Sequence, residues 1–310
     1  MAMPGSPITR NHIPSTWEYG LRDVIFDEYE YRVRQSETIF SDRDEKKRQV
    51  TDAVFAGTGV FHRADEGEAP FVDSIAEAYT VQKIHSIFKL AISITREAMA
   101  DDLYGPTQQL AKEAGYSAWY TKAVESMSFF NNPTGETIYT MDGTSYPLLS
   151  TAHGLKNGST FSNRPSAAAS LAIDTLESGL NDYRTNFVDH RGRKVMIQPR
   201  WLMVPPGLQY VAQRLLMSNF RPGGDANDVN AVKQMHPGLE PLVMDHLTNN
   251  GCWFLVAEKR DQKLNYNNRE DLDVTRETDG TGSGNLLLVA YFRCSWGASQ
   301  PHGVYGSPSG

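Results

Sequence analysis

Apolar and polar residues along this chain of 310 residues follow two different periods. Around Glu28–Arg34, Tyr29, Tyr31 and Val33 fall on one side, with Glu30, Arg32 and Arg34 on the other. That alternation predicts a strand with one adhesive face. Residues 51–95 predict a long hairpin. Its first limb is Val54–His62, and the polar tip runs from Arg63 through Asp65, Glu66 and Glu68 to Pro70. The return limb alternates Ile84, Ser86, Phe88, Leu90, Ile92 and Ile94 against His85, Lys89, Ser93 and Thr95. From Pro106 the period changes. Leu110, Ala114, Ala118, Trp119, Ala123, Met127 and Phe130 recur at three- and four-residue steps until Asn131-Asn132-Pro133, which ends helices. This helix, 106–131, would be a rod of roughly 37 Å.

Later segments mix both periods. Leu171, Leu176, Leu180, Tyr183 and Phe187 predict a second helix closed by Arg191-Gly192. Val195–Ile197 and Trp201–Val204 predict strands leading into Pro205-Pro206, and Leu208, Val211, Ala212, Leu215 and Leu216 a short amphipathic helix. Trp253–Ala257 and Leu286–Trp296 read as β-type runs. Regular βαβ alternation is missing, so the expected class is α+β. At this length two lobes are expected.

Residues 1–50 hold 17 charged residues yet also Trp17, Tyr19, Phe26, Tyr29, Tyr31 and Phe40. Disordered tails lack aromatics and cores lack such charge density, so an arm that docks its aromatic side on another surface is expected. Overall, 40% hydrophobic and 22% charged residues make a folding composition. The longest apolar run, Leu286–Phe292, is too short to span a bilayer, and the N-terminus has no apolar signal core. With two cysteines, no disulfide framework is expected, which fits a reducing cytoplasm. A net charge of −7 argues against a phosphate-gripping basic stripe, and the dense run Arg43–Arg48 is mixed in sign.

Candidate chemistry is weak throughout. Asp142, Ser150 and His153 could be drawn as a triad, but no GxSxG elbow supports them, and a turn-rich loop is the simpler reading. The eight histidines never pair at i and i+4, and no HExxH occurs, so no metal is expected. The glycine-rich 279–285 segment lacks the GK[ST] of a phosphate loop and precedes a strand. Cys252 and Cys294 sit in apolar surroundings that favour packing over nucleophilicity. No catalytic, cofactor or metal site emerges. The docking arm, long hairpin and long rod would expose surface that symmetric self-assembly can bury.

The order of segments resembles the major capsid proteins of tailed bacteriophages, in particular the branch with the Mu-like head subunit. The residues that carry this are EGEAPFVDSIAEAYTVQKIHSIFKLAISITREAMADDLYG (66–105), MDGTSYPLLSTAHG with Phe161-Ser162-Asn163, RWLMVPPGLQYVAQRLLMS (200–218), LVMDHLTNNGCWFLVAEKR and SWGASQPHGVYGS. The resemblance covers nearly the whole chain from about Gly20. It implies the capsid fold shared with encapsulins. That fold has an N-terminal arm (1–50), an extended loop (51–95), a peripheral domain (96–196 and 286–310, spine helix about 106–131) and an axial domain (197–285).

The implied function is a non-enzymatic virion subunit without cofactors. It would form pentamers and hexamers of an icosahedral head around double-stranded DNA, assembled in the host bacterial cytoplasm. Implied partners are a scaffolding protein, a portal and a decoration protein, with no membrane. The residues nominated for assembly contacts are Tyr29, Tyr31, Arg63, Asp65, Glu66 and Glu68. Lys83 and Lys89 in the loop read as solvated lysines. Two alternatives are an encapsulin-like compartment and a soluble hydrolase using the 142–153 loop.

Overall fold

The computed structural model describes residues 14–32, 35–95, 97, 101, 104–222, 228–278 and 285–308. The chain divides into two compact units. One comprises residues 1–34, 85–125 and 268–294, the other residues 35–84, 126–267 and 295–310. Helices and strands are mixed, as the α+β expectation required.

In the first unit, α1 (Pro14–Tyr31) is a helix, not the strand that the alternation at 28–34 predicts. A longer pattern wins: Leu21, Ile25 and Tyr29, four residues apart, are its buried face. Tyr29 is therefore 6% exposed and Tyr31 82%, so the two tyrosines do not share a surface. Val33 and Arg34 lie outside the described residues, as do residues 1–13 and the glycine-rich 279–284; nothing is described of the side chains of Trp17 and Tyr19.

The rod is α2 (Tyr104–Asn131). Its buried face over the first unit is Thr107, Ala111, Ala114, Ala118 and Lys122, whereas Leu110, expected inside, is half exposed. The small side chains serve a helix crossing. A Cβ built at Gly115 would lie 2.4 Å from the backbone oxygen of Ile25 and 3.1 Å from Cβ of Glu28. Only glycine lets the two backbones come this close.

Against the expected hairpin, the Ile84–Ile94 limb turns away from Val54–His62. Residues β2 (Gln49–Phe55) and β3 (Glu77–Ile84) pair antiparallel, Val50 opposite Lys83 and Val54 opposite Tyr79. The next strand, β4 (Ser86–Ile94), instead pairs with β13 (Leu286–Ala298), Leu286 opposite Ile94 and Cys294 opposite Ser86. With β1 (Ser41–Asp44) and β12 (Leu264–Thr278) they form a sheet in the order β1-β12-β13-β4.

The second unit is built on a sheet in the order β10 (Glu240–Val243), β9 (Pro199–Val204), β11 (Trp253–Ala257), β14 (Val304–Ser307). Its central strand β11 is buried along its whole length. Strand periodicity sends Leu202, Val204, Trp253, Leu255 and Tyr305 to one face, under α3 (Ile173–Asn186) and α4 (Gln209–Met217). Met203, Phe254, Val256 and Val304 go to the other, where Phe40, Met127 and Phe130 meet them. Val195–Ile197, expected as a strand, forms none; the isolated bridge beside it joins Lys194 to Val188.

Candidate functional site

The segment 56–76 joins β2 to β3 without a ladder of its own. Its root is firmly held. Val54, Ala78, Tyr79 and Val81 pack with Tyr139 and Met141, and the rings of Tyr79 and Tyr139 stack at 4.2 Å. Beside them, Asp52 accepts two hydrogen bonds from Arg43 Nη1 (3.0 and 3.2 Å) and one from the Ser299 hydroxyl. Asn265 donates to Ser299 Oγ at 2.9 Å, and the Tyr79 hydroxyl donates to the Ser299 carbonyl at 3.3 Å. Burial first, then the Arg43 charge, depresses the Lys83 amine to about 8, against the attraction of Asp52. That environment replaces the solvated lysine expected from sequence.

Further out, two arginines fasten the segment. Arg191 Nε donates to the Gly57 carbonyl (3.0 Å), Nη1 to Asp73 (3.1 Å) and Nη2 to the Ser74 carbonyl (2.6 Å). Arg193 Nη1 reaches the Gly59 carbonyl at 3.4 Å. Both project from a tight turn. Asp189 Oδ1 accepts the backbone N–H of Arg191 and of Arg193, each at 2.9 Å, and Gly192 adopts φ 82°. Asp73 sits below its ordinary value chiefly because the Gly59 N–H bonds to it, with Arg191 adding to that against a desolvation cost. The motif Asp189–Arg193 was visible in the sequence only as a helix stop; its two guanidiniums are the signal for an anchor.

Beyond the clamp, nothing among the described residues covers the segment. Phe61 is fully exposed, and Phe55, Val60, Phe71, Val72 and Ile75 are mostly so. His62 and Phe71 meet across the two limbs with ring centroids 4.7 Å apart. The nominated tip residues Arg63, Asp65, Glu66 and Glu68 are all exposed. Asp65 N–H donates to Glu68 Oε2 and Glu68 N–H to the Asp65 carbonyl, closing a turn around Gly67 at φ 86°. The tip is a self-contained polar turn flanked by unburied apolar side chains.

The arm nomination needs correction at one residue. Tyr29 belongs to its own unit: Lys122 Nζ donates to its hydroxyl at 2.6 Å and lies 5.2 Å from its ring centroid. Tyr29→Ser is therefore expected to cost about 3 kcal/mol of stability, as for a buried aromatic, and to lower the melting temperature, whereas Tyr31→Ser leaves it unchanged. Thermal denaturation followed by circular dichroism separates the two.

The catalytic reading of 142–153 fails on geometry. Asp142 (φ 48°) and Gly143 (φ 79°) form the tight turn between β5 (Thr137–Met141) and β6 (Thr144–Pro147), and the Asp142 carboxylate faces Lys156 at 3.5 Å. Ser150 Oγ accepts the Ala152 N–H at 3.1 Å. His153 is fully buried with both nitrogens engaged, Nδ1 by the Tyr139 hydroxyl (3.1 Å) and Nε2 by Asn163 Oδ1 (3.0 Å). Burial pushes its pKa down to about 3, so it stays neutral and has no free lone pair for a serine proton.

The hub here is Asn163. Its Oδ1 also accepts the Ser150 N–H at 2.9 Å, and its Nδ2 donates to the carbonyls of Leu148 (2.8 Å) and Val304 (3.1 Å). Asn163→Ala strands several buried polar groups and is expected to cost about 3 kcal/mol, read as a shifted urea midpoint with unchanged slope.

The thiol of Cys252, buried and donating to the Asn249 carbonyl, is raised to about 11 by desolvation. Among the described residues no group of three or more His, Cys, Asp or Glu side chains could hold a metal ion. No helix among them is long and apolar enough to cross a membrane.

The comparison that decides the matter is with a family model described as phage capsid protein, which matches residues 76–306. The chain belongs to the phage capsid protein family. It is a structural major capsid protein, not an enzyme, and its place is in the capsid of a virion.

No curated protein sequence matches this capsid protein. Solved capsids match its fold. A virus-like particle from Pyrococcus furiosus is 9% identical, with a TM-score of 0.53 over 93% of this chain and 97% of that one. The capsid of a native GTA particle is 12% identical, TM-score 0.55, over 88% and 89% of the two chains. The mature capsid of bacteriophage PhiM1 is 10% identical, TM-score 0.54, over 87% and 85%. The capsid protein thus shares the fold of these capsid subunits.

Proposed function

We propose that this capsid protein forms pentamers and hexamers that close into an icosahedral head around double-stranded DNA. Assembly takes place in the cytoplasm of a bacterial host, with a scaffolding protein, a portal and a decoration protein as partners. The observation that carries the reading is the limb 56–76: fastened by Arg191 and Arg193, it holds several large apolar side chains in water. A subunit that rigidly presents such a surface has a partner for it, and in a closed shell the partner is another copy. Burying a phenylalanine contributes about 1.5–3 kcal/mol, so a few such contacts per subunit suffice when every neighbour repeats them.

The division into an arm (1–50), an extended loop (51–95), a peripheral domain (96–196 and 286–310) and an axial domain (197–285) is part of this proposal. Within it Tyr31, exposed on α1, keeps a place among the contacts, and the charged tip residues form their rim. The acidic balance, −7, suits a container that encloses DNA without gripping it.

The test is expression of the chain with its neighbouring phage genes, followed by sedimentation and negative-stain microscopy. Closed shells of uniform size are expected. Material that stays a 34.6 kDa unit at high concentration with scaffold present would overturn the proposal.

A further inference from the structure

Three histidines distant in sequence gather behind the arginine clamp. His302 stacks on Phe161 at 4.7 Å, Phe161 stacks on His153 at 4.9 Å, and His190 meets the edge of His302 at 6.4 Å. His190 also packs at 5.5 Å against Tyr79 of β3, the strand by which the limb returns. It directly precedes Arg191 in the turn that fastens the limb.

The hydrogen-bond account of this cluster does not close. His302 Nε2–H donates to the Val188 carbonyl at 2.8 Å, but its Nδ1 has no partner. His190 is buried, and neither of its ring nitrogens has one. A buried neutral imidazole tolerates this at modest cost. An imidazolium must carry two N–H donors and a charge, which an aromatic pocket without acceptors does not accommodate.

Of the charged groups around His190, Asp189 favours a charge on the ring, but by less than burial and His302 oppose it. Asp189 is the adjacent acid, yet its Oδ1 is taken by two backbone N–H groups and its Oδ2 by Arg193 Nε at 2.7 Å. His302 and Lys156 both oppose a charge on the ring. Across the pocket, the hydroxyl of Tyr79 is committed to the Ser299 carbonyl, and Arg191 to the limb.

We infer that His190 is an acid-sensitive latch. While neutral, it stays between Tyr79 and His302 and holds the Asp189–Arg193 turn in place. Once protonated, it leaves the pocket, the turn loses its shape, and Arg191 and Arg193 release the limb 57–74.

The sign follows from the pocket. Burial first, then His302, lowers His190 from 6.5 to about 4. The opened or unfolded state therefore binds the proton before the closed one does. Closure is at full strength above about pH 6.5 and weakens as pH falls from 6.5 towards 4. His302 and His153 are shifted in the same direction by burial, so they reinforce the trend.

The test is a property of the single chain and does not depend on shell formation. Hydrogen–deuterium exchange of the full-length protein is compared at about pH 7.5 and pH 5, corrected for intrinsic rates. For the wild type, the amides of Gly59 and Ser74, both bonded to Asp73, are expected to lose protection about tenfold or more at the lower pH. Those of Trp253–Ala257 are expected to keep theirs.

His190→Phe keeps the ring contact with Tyr79 but cannot be protonated, so limb protection should persist at pH 5. His190→Gln, smaller and uncharged, gives the same readout should phenylalanine not be accommodated. Arg191→Ala should lose protection at both values. An unchanged wild-type limb, or uncharged variants that open at the same pH as the wild type, would overturn the inference.

Discussion

Gly115→Val is expected to cost the first unit about 3 kcal/mol or more and to detach α1 from α2. The magnitude comes from overpacking at a site that cannot yield. At position 115 the obstacle is the carbonyl oxygen of Ile25, 2.4 Å from where a Cβ would stand, and backbone does not rotate away as a side chain would. The helices must separate, and Leu21, Ile25 and Tyr29 then lose the burial that makes 14–31 a helix. Valine adds a branched Cβ and a small propensity loss in mid-helix. The second unit has its own sheet and core and is unaffected. The expected observation is a two-step thermal transition in which only the first step moves down. One cooperative transition at the wild-type temperature would show that the helix crossing does not hold the unit together.

The same crossing shows why parts of the fold could be read from sequence and others not. The rod at 106–131, the helix at 171–187 and the β-type runs at 253–257 and 286–296 were legible because their apolar period persists over many residues. The strand expected at 28–34 gives way to a helix because a four-residue spacing that begins at Leu21 runs into those seven alternating residues. A helix packed by alanines and a glycine also leaves a faint apolar stripe, so Leu110 looked like core and Ala111 did not. The hairpin was half right. Its strands are β2 and β3, while Ile84–Ile94, with equal strand character, pairs with Leu286–Cys294, and register across some 200 residues leaves no local trace.

The site was harder to read for a different reason. Asp142, Ser150 and His153 are close in sequence and chemically suggestive, but hydrogen-bond partners decide their role, and the decisive one, Asn163, is an unremarkable asparagine until it is seen to make four bonds. Arg191 and Asp73 lie 118 positions apart, so their pairing follows only from the fold. At the limb, charge drew attention to the tip. The structure moves the emphasis to the flanks.

That shift defines the second large effect. Phe61→Ser combined with Phe71→Ser is expected to abolish shell formation while leaving the subunit folded. Neither ring supports a core of its own chain. Phe61 is fully exposed and Phe71 is 68% exposed, its ring meeting that of His62. Replacing them therefore costs the isolated subunit little.

In a shell each ring would be buried against a neighbour at about 1.5–3 kcal/mol, so the pair removes about 3–6 kcal/mol from every repeat of the contact. Assembly rests on many weak contacts acting together, so a loss of this size at each one shifts the equilibrium to free subunits. Neutralising the rim, with Arg63, Asp65, Glu66 and Glu68 all changed to serine, should do far less. Exposed ion pairs contribute about 0–1 kcal/mol each, and here the charges partly serve their own turn.

The two variants are compared by melting temperature, sedimentation velocity and negative-stain microscopy. The phenylalanine variant should melt like the wild type but sediment as subunits or small oligomers, and the rim variant should give shells. Normal shells from the double phenylalanine variant would show that the apolar flanks of the limb are not an interface. Shells lost only in the rim variant would return the role to the charged tip.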